Sequence, residues 1–502
     1  MNRLFGLETE YGIAVEGKGA SDLIQESIKL VSCVGGDFVT GWNYGPEDSR
    51  RDLRGFTVDR LSTNPDDAQF DIPTDKKHRV ADERNDHILG NGGRLYNDHG
   101  HPEYSTPECS SLLDLVAHDK AGERIVWECA LARMDDIRTP ISIYKNNTDY
   151  HGSSYGTHES YLMSRLVPPV ELIQSLIPFL VTRQIFCGAG KVGVEVDNSE
   201  PIFQISARAD FFSAEASVDT LHNRPIVNTR DEPHAAPTKY RRLHVIIGDA
   251  NMSEWTTAMK VGTTSLVVQL LEDGWRPYFQ LKNPIRDLKG ISRDSSLTYS
   301  CVITDGHQLS AIDIQRRFLS EAQCRFEGKS EEIDWVLAEW HKVLRDLSDA
   351  IAAVSDRVDW AAKYQLLEEF RKQEDLTWGD PFMQSLDLSY HDVDPETGLY
   401  HGLVEANAIR RLVSDERIES AMTCAPSNTR AAIRGAFVKR FPSSIRSIGW
   451  NGIAFEYEGE NRLFDMNTLV EDNLEDFNNE LNVATSLHDV VDVITRKPNA
   501  GE

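Results

Sequence analysis

The chain opens with an alternation of apolar and polar positions that is typical of a β-strand. Residues 3–15 are predicted to form one strand, on which Glu8 and Glu10 are two positions apart. Because side chains alternate across a strand, both carboxylates should point to the same face. Further short apolar runs predict strands at KVGVEV, around Val194, and at residues 243–248.

Two later stretches follow the helical period instead. Ser253 is placed to cap the first helix, which the pattern extends to Leu271, with Gly274 as its C-terminal stop. From about residue 331 apolar side chains recur at helical spacing through Val354, and strand-like RSIGW and IAFEYE follow near the end. This irregular order of strands and helices predicts an α+β fold with an antiparallel sheet.

Residues 41–87 show neither period. This segment is rich in Gly, Pro, Asp and Arg, as in GPEDSRRDLRGF, and it predicts a long loop. A loop of this length inside a compact domain is typically a functional lid or disordered.

Composition narrows the class of protein. The 502 residues carry 80 acidic and 53 basic side chains, a net charge of −27, which disfavours nucleic acid or an anionic membrane as the main partner. The seven cysteines form no CxxC pair, and no apolar run is long enough to span a bilayer. We therefore expect a soluble, cytoplasmic protein with reduced thiols.

Residues 91–109, NGGRLYNDHGHPEYSTPEC, crowd titratable groups into a short span. On a strand, Arg94, Tyr96 and Asp98 would share one face. A polar loop with turn-forming glycine and proline is the alternative interpretation, but it does not account for so many ionisable side chains. A solvated strand face is likewise the alternative for Glu8 and Glu10.

A third polar cluster lies between residues 144 and 254. It contains His158, Arg208, Arg230, Arg241 and His244. Arginine binds phosphate oxygens bidentately, and Mg²⁺ prefers oxygen ligands, although histidine with carboxylate also suits Zn²⁺. Each arginine has an ordinary alternative as the structural partner of an acid. With no P-loop, kinase motif set, HExxH or GxSxG, the residues alone predict an α+β enzyme that handles metal and phosphate.

Long motifs spread over the chain resemble one known family. They are GLETEYGI, GGRLYNDHGHPEYSTPE, HDKAGER, YKNN, SYGTHESYLMSR, VNTRDEPH, KYRRLHVIIGDAN, FRKQEDLTW and TRAAIRG. Together they are similar to the Pup deamidase/depupylase family, which is related to Pup ligase and more distantly to glutamine synthetase and the carboxylate–amine ligases. The resemblance runs from residue 4 to residue 450.

The resemblance implies a glutamine-synthetase-like catalytic domain over residues 1–420, with a curved antiparallel sheet, and a small C-terminal α/β domain over residues 421–502. It also implies ATP and Mg²⁺ as cofactors and Asp98 as the catalytic residue. The implied metal ligands are Glu8, Tyr96 and Glu103, with Glu10, His158 and His244 as further candidates. The implied nucleotide contacts are Arg94, Thr106 and Trp450, with Arg208, Arg230 and Arg241 as phosphate neighbours.

The implied reaction is cleavage of the isopeptide bond between Pup and a substrate lysine, together with deamidation of the C-terminal glutamine of Pup. Asp98 either attacks the amide carbon or serves as general base for water, and the sequence leaves both roles open. The implied partners are Pup or a Pup-like modifier and pupylated proteins, and the implied oligomeric state is a monomer. Arg50, Arg51 and Arg54 are candidates for a groove that binds the modifier.

ATP-dependent ligation is the main alternative, because the two branches of the family share these clusters. The depupylase branch carries an inserted loop before the NGGRLY motif, and residues 41–87 resemble it, so the sequence favours the hydrolase. A modifier-binding protein without catalysis is a third hypothesis, which the set of Asp98, Glu8 and Glu103 disfavours.

Overall fold

The computed structural model describes residues 3–61, 84–150, 152–193, 202–220, 223–470 and 473–496. In the described residues the β-strands, in chain order, are β1 (Phe5–Glu10), β2 (Gly12–Val15), β3 (Phe38–Val39), β4 (His87–Leu89), β5 (Arg94–Asp98), β6 (His101–Ser105), β7 (Ile141–Tyr144), β8 (Thr157–Ser164), β9 (Lys191–Val192), β10 (Phe203–Gln204), β11 (Phe212–Ser217), β12 (Arg224–Asn228), β13 (Tyr240–Val245), β14 (Ser300–Val302), β15 (Gln308–Ser310), β16 (Ile445–Ile448), β17 (Gly452–Tyr457) and β18 (Glu460–Asp465).

The α-helices of the same residues, numbered in chain order, are α1 (Leu23–Val31), α2 (Leu112–Ile137), α3 (Pro169–Thr182), α4 (Gln184–Cys187), α5 (Glu254–Glu272), α6 (Pro284–Ser292), α7 (Ala311–Phe326), α8 (Glu331–Asp349), α9 (Asp359–Gln373), α10 (Pro381–Tyr390), α11 (Leu399–Glu405), α12 (Asp415–Thr423), α13 (Arg430–Arg440), α14 (Glu475–Val483) and α15 (Leu487–Thr495). No helix in these parts of the chain is long and apolar enough to cross a membrane.

A seven-stranded sheet forms the centre of the fold. Its order is β13-β8-β1-β6-β5-β4-β3, and every neighbouring pair is antiparallel. Helices α2 and α5 both contact this sheet. The approach of α2 is close: a Cβ added to its Gly122 would lie 2.3 Å from the ring of Tyr104 on β6. This close approach of helix to sheet requires glycine. The large antiparallel sheet with many helices confirms the predicted α+β fold.

Helix α5 follows the predicted boundaries. The Ser253 side chain accepts a hydrogen bond from the Thr256 amide, as expected of an N-cap, and Gly274 beyond its C-terminus has a φ of +83°. Strand β13 covers residues 240–245, so it begins and ends earlier than the predicted 243–248 strand. Of KVGVEV, only Lys191 to Gly193 are described, and β9 occupies the first two positions.

The single strand predicted over residues 3–15 is two strands. Tyr11 breaks the run, and its amide donates to the Pro102 carbonyl. Strand β1 continues in the main sheet, whereas β2 leaves it and pairs with β7. Both predicted glutamates lie on β1, so the break leaves their relative placement intact.

The C-terminal part of the chain packs around a second hydrophobic cluster. Helices α13 to α15 and the three-stranded sheet β16-β17-β18 contribute most of it, and Val39, Trp42 and Ile88 join from the main sheet and the preceding loop. Helix α12 instead packs against α2. The hydrophobic cluster of the C-terminal part therefore begins at α13, whereas α12 still belongs to a cluster with α2. The domain boundary at residue 421 stays a proposal.

The helical run predicted through Val354 stops earlier. Helix α8 ends at Asp349, because Ala350 is extended with a φ of −166°, and a short 3-10 turn follows. In the predicted loop, residues 41–61 make isolated bridges but no strand or helix, and β4 begins at His87. Residues 62–83 of that loop lie outside the described residues.

Candidate active site

One face of the main sheet forms the floor of a polar cleft of about 340 Å³. Alternate residues of four strands point into it: Glu8 and Glu10 of β1, Arg94, Tyr96 and Asp98 of β5, Glu103 of β6, and Arg242 and His244 of β13. His158 of β8 completes this floor. The strand period therefore brings together side chains that are up to 236 positions apart in the sequence (Glu8 to His244).

Three carboxylates form the first candidate metal set. Ligand atoms of Glu10, Asp98 and Glu103 all lie within 4.8 Å of one another. Burial raises the pKa of Glu103 well above its usual range, and the charges of Asp98, Glu10 and Glu8 raise it further. Like charges held this close are stable only with a proton or a cation among them. An all-oxygen set of this kind suits Mg²⁺.

A second set combines one carboxylate with two imidazoles. Glu8 Oε2 lies 3.4 Å from His244 Nε2 and 3.8 Å from His158 Nδ1. Neither ring nitrogen of buried His244 has a hydrogen-bond partner among the described residues. Burial and Arg242 lower the pKa of His244 to about 3, so its imidazole is neutral and can act as a ligand. Two nitrogen donors suit Mg²⁺ less well than the carboxylate set does.

Arg242 sets the charge of Glu8. It donates from Nη1 to Glu8 Oε1 at 2.9 Å and from Nη2 to Glu232 Oε2 at 3.2 Å. Burial acts to raise the pKa of Glu8, but Arg242 and the two imidazoles outweigh it and hold that pKa well below its usual range. Glu8 is therefore an ionised carboxylate in the cleft.

Asp98 is the most accessible member of the carboxylate set, with 20% of its side chain accessible. Burial alone would raise its pKa, but His99 and Arg84 outweigh burial and lower it far below the usual range. His99 Nδ1 lies 3.0 Å from Asp98 Oδ2, and an Arg84 nitrogen lies 3.4 Å from Oδ1. Asp98 is thus an ionised carboxylate that faces the cleft.

The role of Tyr96 as a metal ligand stays a prediction. Its hydroxyl donates a hydrogen bond to Glu103, and burial raises its pKa well above the usual range, so it is a neutral donor. The Arg94 guanidinium lies between two rings, 3.9 Å from the centroid of Tyr96 and 4.1 Å from that of Trp42. Asp86 pairs with Arg94 from the side.

In the described part of the chain, the guanidiniums of two cleft arginines donate hydrogen bonds only to neutral groups. Arg208 donates to Ser154 Oγ at 3.0 Å and to the carbonyl oxygens of Ile246 and Gly248. Arg224 donates to the Ser154 carbonyl at 2.6 Å. Neither guanidinium pairs with a carboxylate in the described part of the chain, and both line the cleft. A buried guanidinium whose hydrogen bonds go only to neutral groups favours an anionic ligand such as a phosphate or a carboxylate.

Of the other two predicted phosphate neighbours, Arg230 lies in the cleft and Arg241 does not. Arg230 lines the cleft and donates to the Val218 carbonyl at 2.9 Å. The prediction for Arg241 does not fit the structure, because Arg241 points away from the cleft and donates to the Val167 carbonyl at 3.0 Å. Arg242, its neighbour on β13, occupies the face that the prediction assigned to Arg241.

Thr106 and Trp450 lie where the cleft meets a smaller, mainly apolar pocket. Both line that pocket, and Trp450 lines the cleft as well. Thr106 Oγ1 accepts a hydrogen bond from the Leu7 amide at 3.0 Å, and Arg434 stacks over Trp450 at 4.8 Å. An apolar wall with an aromatic ring beside cationic groups can accommodate a heteroaromatic base next to its phosphates.

The three loop arginines proposed for modifier binding differ in whether they line the cleft. Arg50 lines the cleft. Arg54 is held by Asp52 at 2.8 Å, and Arg51 lies 3.6 Å from Asp231. Their roles in binding stay a prediction.

Several residues of the cleft lie outside the predicted set, among them Arg84, His99, Arg224 and Arg242. Arg242 had a usable signal, since it is two positions before His244 on one strand and must share its face. The others lie in loops or at strand ends, where no sequence period indicates which side chains converge.

Known proteins match both the sequence and the fold. The family model described as Pup-ligase protein matches residues 3–454. A depupylase of Acidothermus cellulolyticus is 42% identical over 481 residues, 93% of this chain and 94% of the relative. A Pup–protein ligase of Acidimicrobium ferrooxidans is 43% identical over 375 residues, 72% of this chain and 82% of the relative.

Two solved structures extend the comparison. The ligase PafA in complex with Pup has a TM-score of 0.77 at 29% identity, covering 99% of this chain and 94% of that one. PafA in complex with ADP has a TM-score of 0.72 at 32% identity, covering 86% of this chain and 96% of that one.

The fold and the cleft define an α+β protein whose central antiparallel sheet carries clustered carboxylates, imidazoles and guanidiniums on one face. The match over residues 3–454 identifies it further. The chain belongs to the Pup-ligase protein family, in which relatives named for ligation and for depupylation are similarly close in identity.

Proposed function

We propose that this protein is an ATP- and Mg²⁺-dependent amidohydrolase that cleaves the isopeptide bond between Pup and a substrate lysine and deamidates the C-terminal glutamine of Pup. The observation that carries the proposal is an ionised Asp98 that faces the cleft and lies within 4.8 Å of the carboxylates of Glu10 and Glu103, a set that needs a cation. The alignment with a depupylase at 42% identity over 93% of the chain supports hydrolysis, and ligases that align at 43% identity over 72% and at 37% identity over 91% of the chain make ligation the second candidate.

The residues present fit both cofactors. Glu10 and Glu103 offer oxygen ligands for Mg²⁺, with Glu8, His158 and His244 as an adjoining set. Arg208, Arg224 and Arg230 offer positive charge to phosphates, Arg94 stacks between its two rings, and Thr106 and Trp450 offer a wall for the base. When bound, Mg²⁺ would supply Lewis acidity to the substrate carbonyl, and the phosphates of ATP would form part of the charged wall of the site.

Asp98 carries the chemistry in either of two ways. As a nucleophile, its carboxylate attacks the amide carbon and expels the amine, and water then cleaves the resulting anhydride. As a general base, it removes a proton from the attacking water. Both roles need an ionised carboxylate, and the neighbouring His99 and Arg84 favour that state.

Ligation is the second candidate function. It is favoured by the 43% identity to a Pup–protein ligase and by the fold shared with PafA. A ligase consumes one ATP for each bond formed, so ADP accumulates in step with product. A hydrolase that holds ATP as part of its site releases amine without a matching amount of ADP.

Two parallel incubations test the two functions, one with a Pup conjugate and one with free Pup and a lysine substrate. A Pup conjugate with a labelled lysine substrate is mixed with protein, ATP and Mg²⁺, and the released substrate and ADP are measured together. We expect substrate release without equimolar ADP. An intact conjugate under these conditions refutes the hydrolase, and ADP that rises with new conjugate from free Pup and lysine supports the ligase.

A further inference from the structure

The turn between β5 and β6 has an unusual backbone for the residues it contains. Asp98 pairs with His101, so His99 and Gly100 form a two-residue loop. Both loop residues have positive φ, 49° for His99 and 93° for Gly100. Turns with two positive φ angles favour Asn-Gly or Gly-Gly, because a Cβ crowds the backbone in the left-handed region. Histidine occupies a position where glycine would be less strained.

The His99 side chain makes a contact that glycine would lose. Its Nδ1 lies 3.0 Å from Asp98 Oδ2, while Arg84 approaches the other oxygen, Oδ1, at 3.4 Å. The terminal torsion of an aspartate is broad and turns easily without partners. A donor on each oxygen fixes the plane of the carboxylate, and with it the direction in which Asp98 faces the cleft.

We propose that His99 is a positioning residue: its Nδ1–H donates to Asp98 Oδ2 and orients that carboxylate toward the scissile amide. The proposal rests on the proposed function, because it assigns His99 a part in the same reaction. It holds whether Asp98 attacks carbon or activates water, since both steps depend on the direction of one carboxylate oxygen.

His99→Gly separates this role from a structural one. Glycine removes the imidazole and relieves the left-handed backbone, so the variant should melt at the same temperature as the wild type or higher. Its kcat for conjugate cleavage should fall about 10²-fold, the scale of a misplaced reacting group. KM and the Kd for ATP should stay within about twofold, because the proposal assigns His99 to the orientation of Asp98 and not to the binding of substrate or nucleotide.

His99→Asn is the conservative variant. Asparagine tolerates positive φ, and its Nδ2 stands where the Nδ1 of histidine stands, so it can donate to the same oxygen. We expect His99→Asn to recover most of the kcat that His99→Gly loses. Asp375→Gly is a matched control: Asp375 also has a positive φ, 56°, is exposed, and lies outside the cleft, so glycine there relieves the backbone and leaves kcat unchanged.

The wild type is assayed in the same experiment. A wild type that does not cleave the conjugate refutes the proposed function, and this outcome is distinct from a failure of the positioning role. Given an active wild type, a His99→Gly variant with full kcat overturns the positioning role. Equal losses in His99→Gly and His99→Asn, with unchanged melting temperatures, also overturn it, because the donor would then not be what matters. A loss in His99→Gly that His99→Asn restores supports it.

Discussion

Replacing Asp98 by asparagine is the most direct test of the candidate site. The amide has nearly the volume of the carboxylate, and one oxygen remains to accept a hydrogen bond from either His99 or Arg84. Because the volumes match and the side chain is 20% accessible, the substitution creates no cavity and no steric clash. The fold should therefore persist, and any loss of activity reports on the missing charge.

The expected loss follows from what the carboxylate does. A positioned general base contributes about 10²–10⁴-fold to the rate, and removal of a nucleophile commonly costs more. We therefore expect kcat of Asp98→Asn to fall at least about 10³-fold, or about 4 kcal/mol in the barrier. The pKa of Glu103 should also fall toward its ordinary value, because the charge of Asp98 is the second cause of its elevation.

The assay measures kcat, KM and the Mg²⁺ concentration for half-maximal cleavage, with ATP affinity measured by calorimetry. Asp114→Asn is the control, since Asp114 pairs with Arg417 on the surface and lies outside the cleft. Wild-type kcat in Asp98→Asn would refute the catalytic assignment. So would a loss that high Mg²⁺ restores in full, because Asp98 would then act only as a metal ligand.

Three further predictions test other parts of the structure. Glu103→Gln should raise the Mg²⁺ concentration for half-maximal activity about 10-fold, measured by titration, since it removes a charged oxygen ligand. Trp450→Ala should weaken ATP binding about 10-fold by calorimetry, because an aromatic wall is lost. Burial acts to raise the pKa of Glu108, but Arg434 and Arg430 outweigh burial and lower this pKa from 4.5 to about 2. Ionised Glu108 therefore stabilises the fold fully above pH 4.5, and this contribution is lost as the pH falls toward 2. Glu108→Gln should lower the free energy of unfolding by roughly 3 kcal/mol above pH 4.5, and urea unfolding should show that this difference shrinks between pH 4.5 and pH 2.

The strand period predicted much of the candidate site. Glu8 and Glu10, and likewise Arg94, Tyr96 and Asp98, share a face as their spacing required. Period 2 is a property of one strand, so it predicts neighbours on that strand and nothing across strands. The pairing of Glu8 with His158 and His244, and of Glu10 with Glu103, depends on sheet register, which local sequence does not fix.

The error at Arg241 comes from setting aside the same rule. The family resemblance implies a phosphate contact for Arg241, the first arginine of KYRRLH, and it also implies that His244 lies in the cleft. Residues 241 and 244 are an odd number of positions apart, so they face opposite sides of β13, and Arg242 is the one that shares the face of His244. The break at Tyr11 was not predictable in this way, because it depends on a carbonyl contributed by Pro102.

The distribution of charge across the cleft couples its two proposed ligands. The carboxylates lie on the central strands β1, β5 and β6, whereas the guanidiniums with neutral partners, Arg208 and Arg224, lie on the surrounding segments. An anionic nucleotide that reaches those guanidiniums also approaches the carboxylates, and the raised pKa of Glu103 shows that negative charge is already costly there. A divalent cation among the carboxylates removes that repulsion. Since coupling between two ligands is reciprocal, Mg²⁺ and nucleotide should each strengthen binding of the other in this cleft.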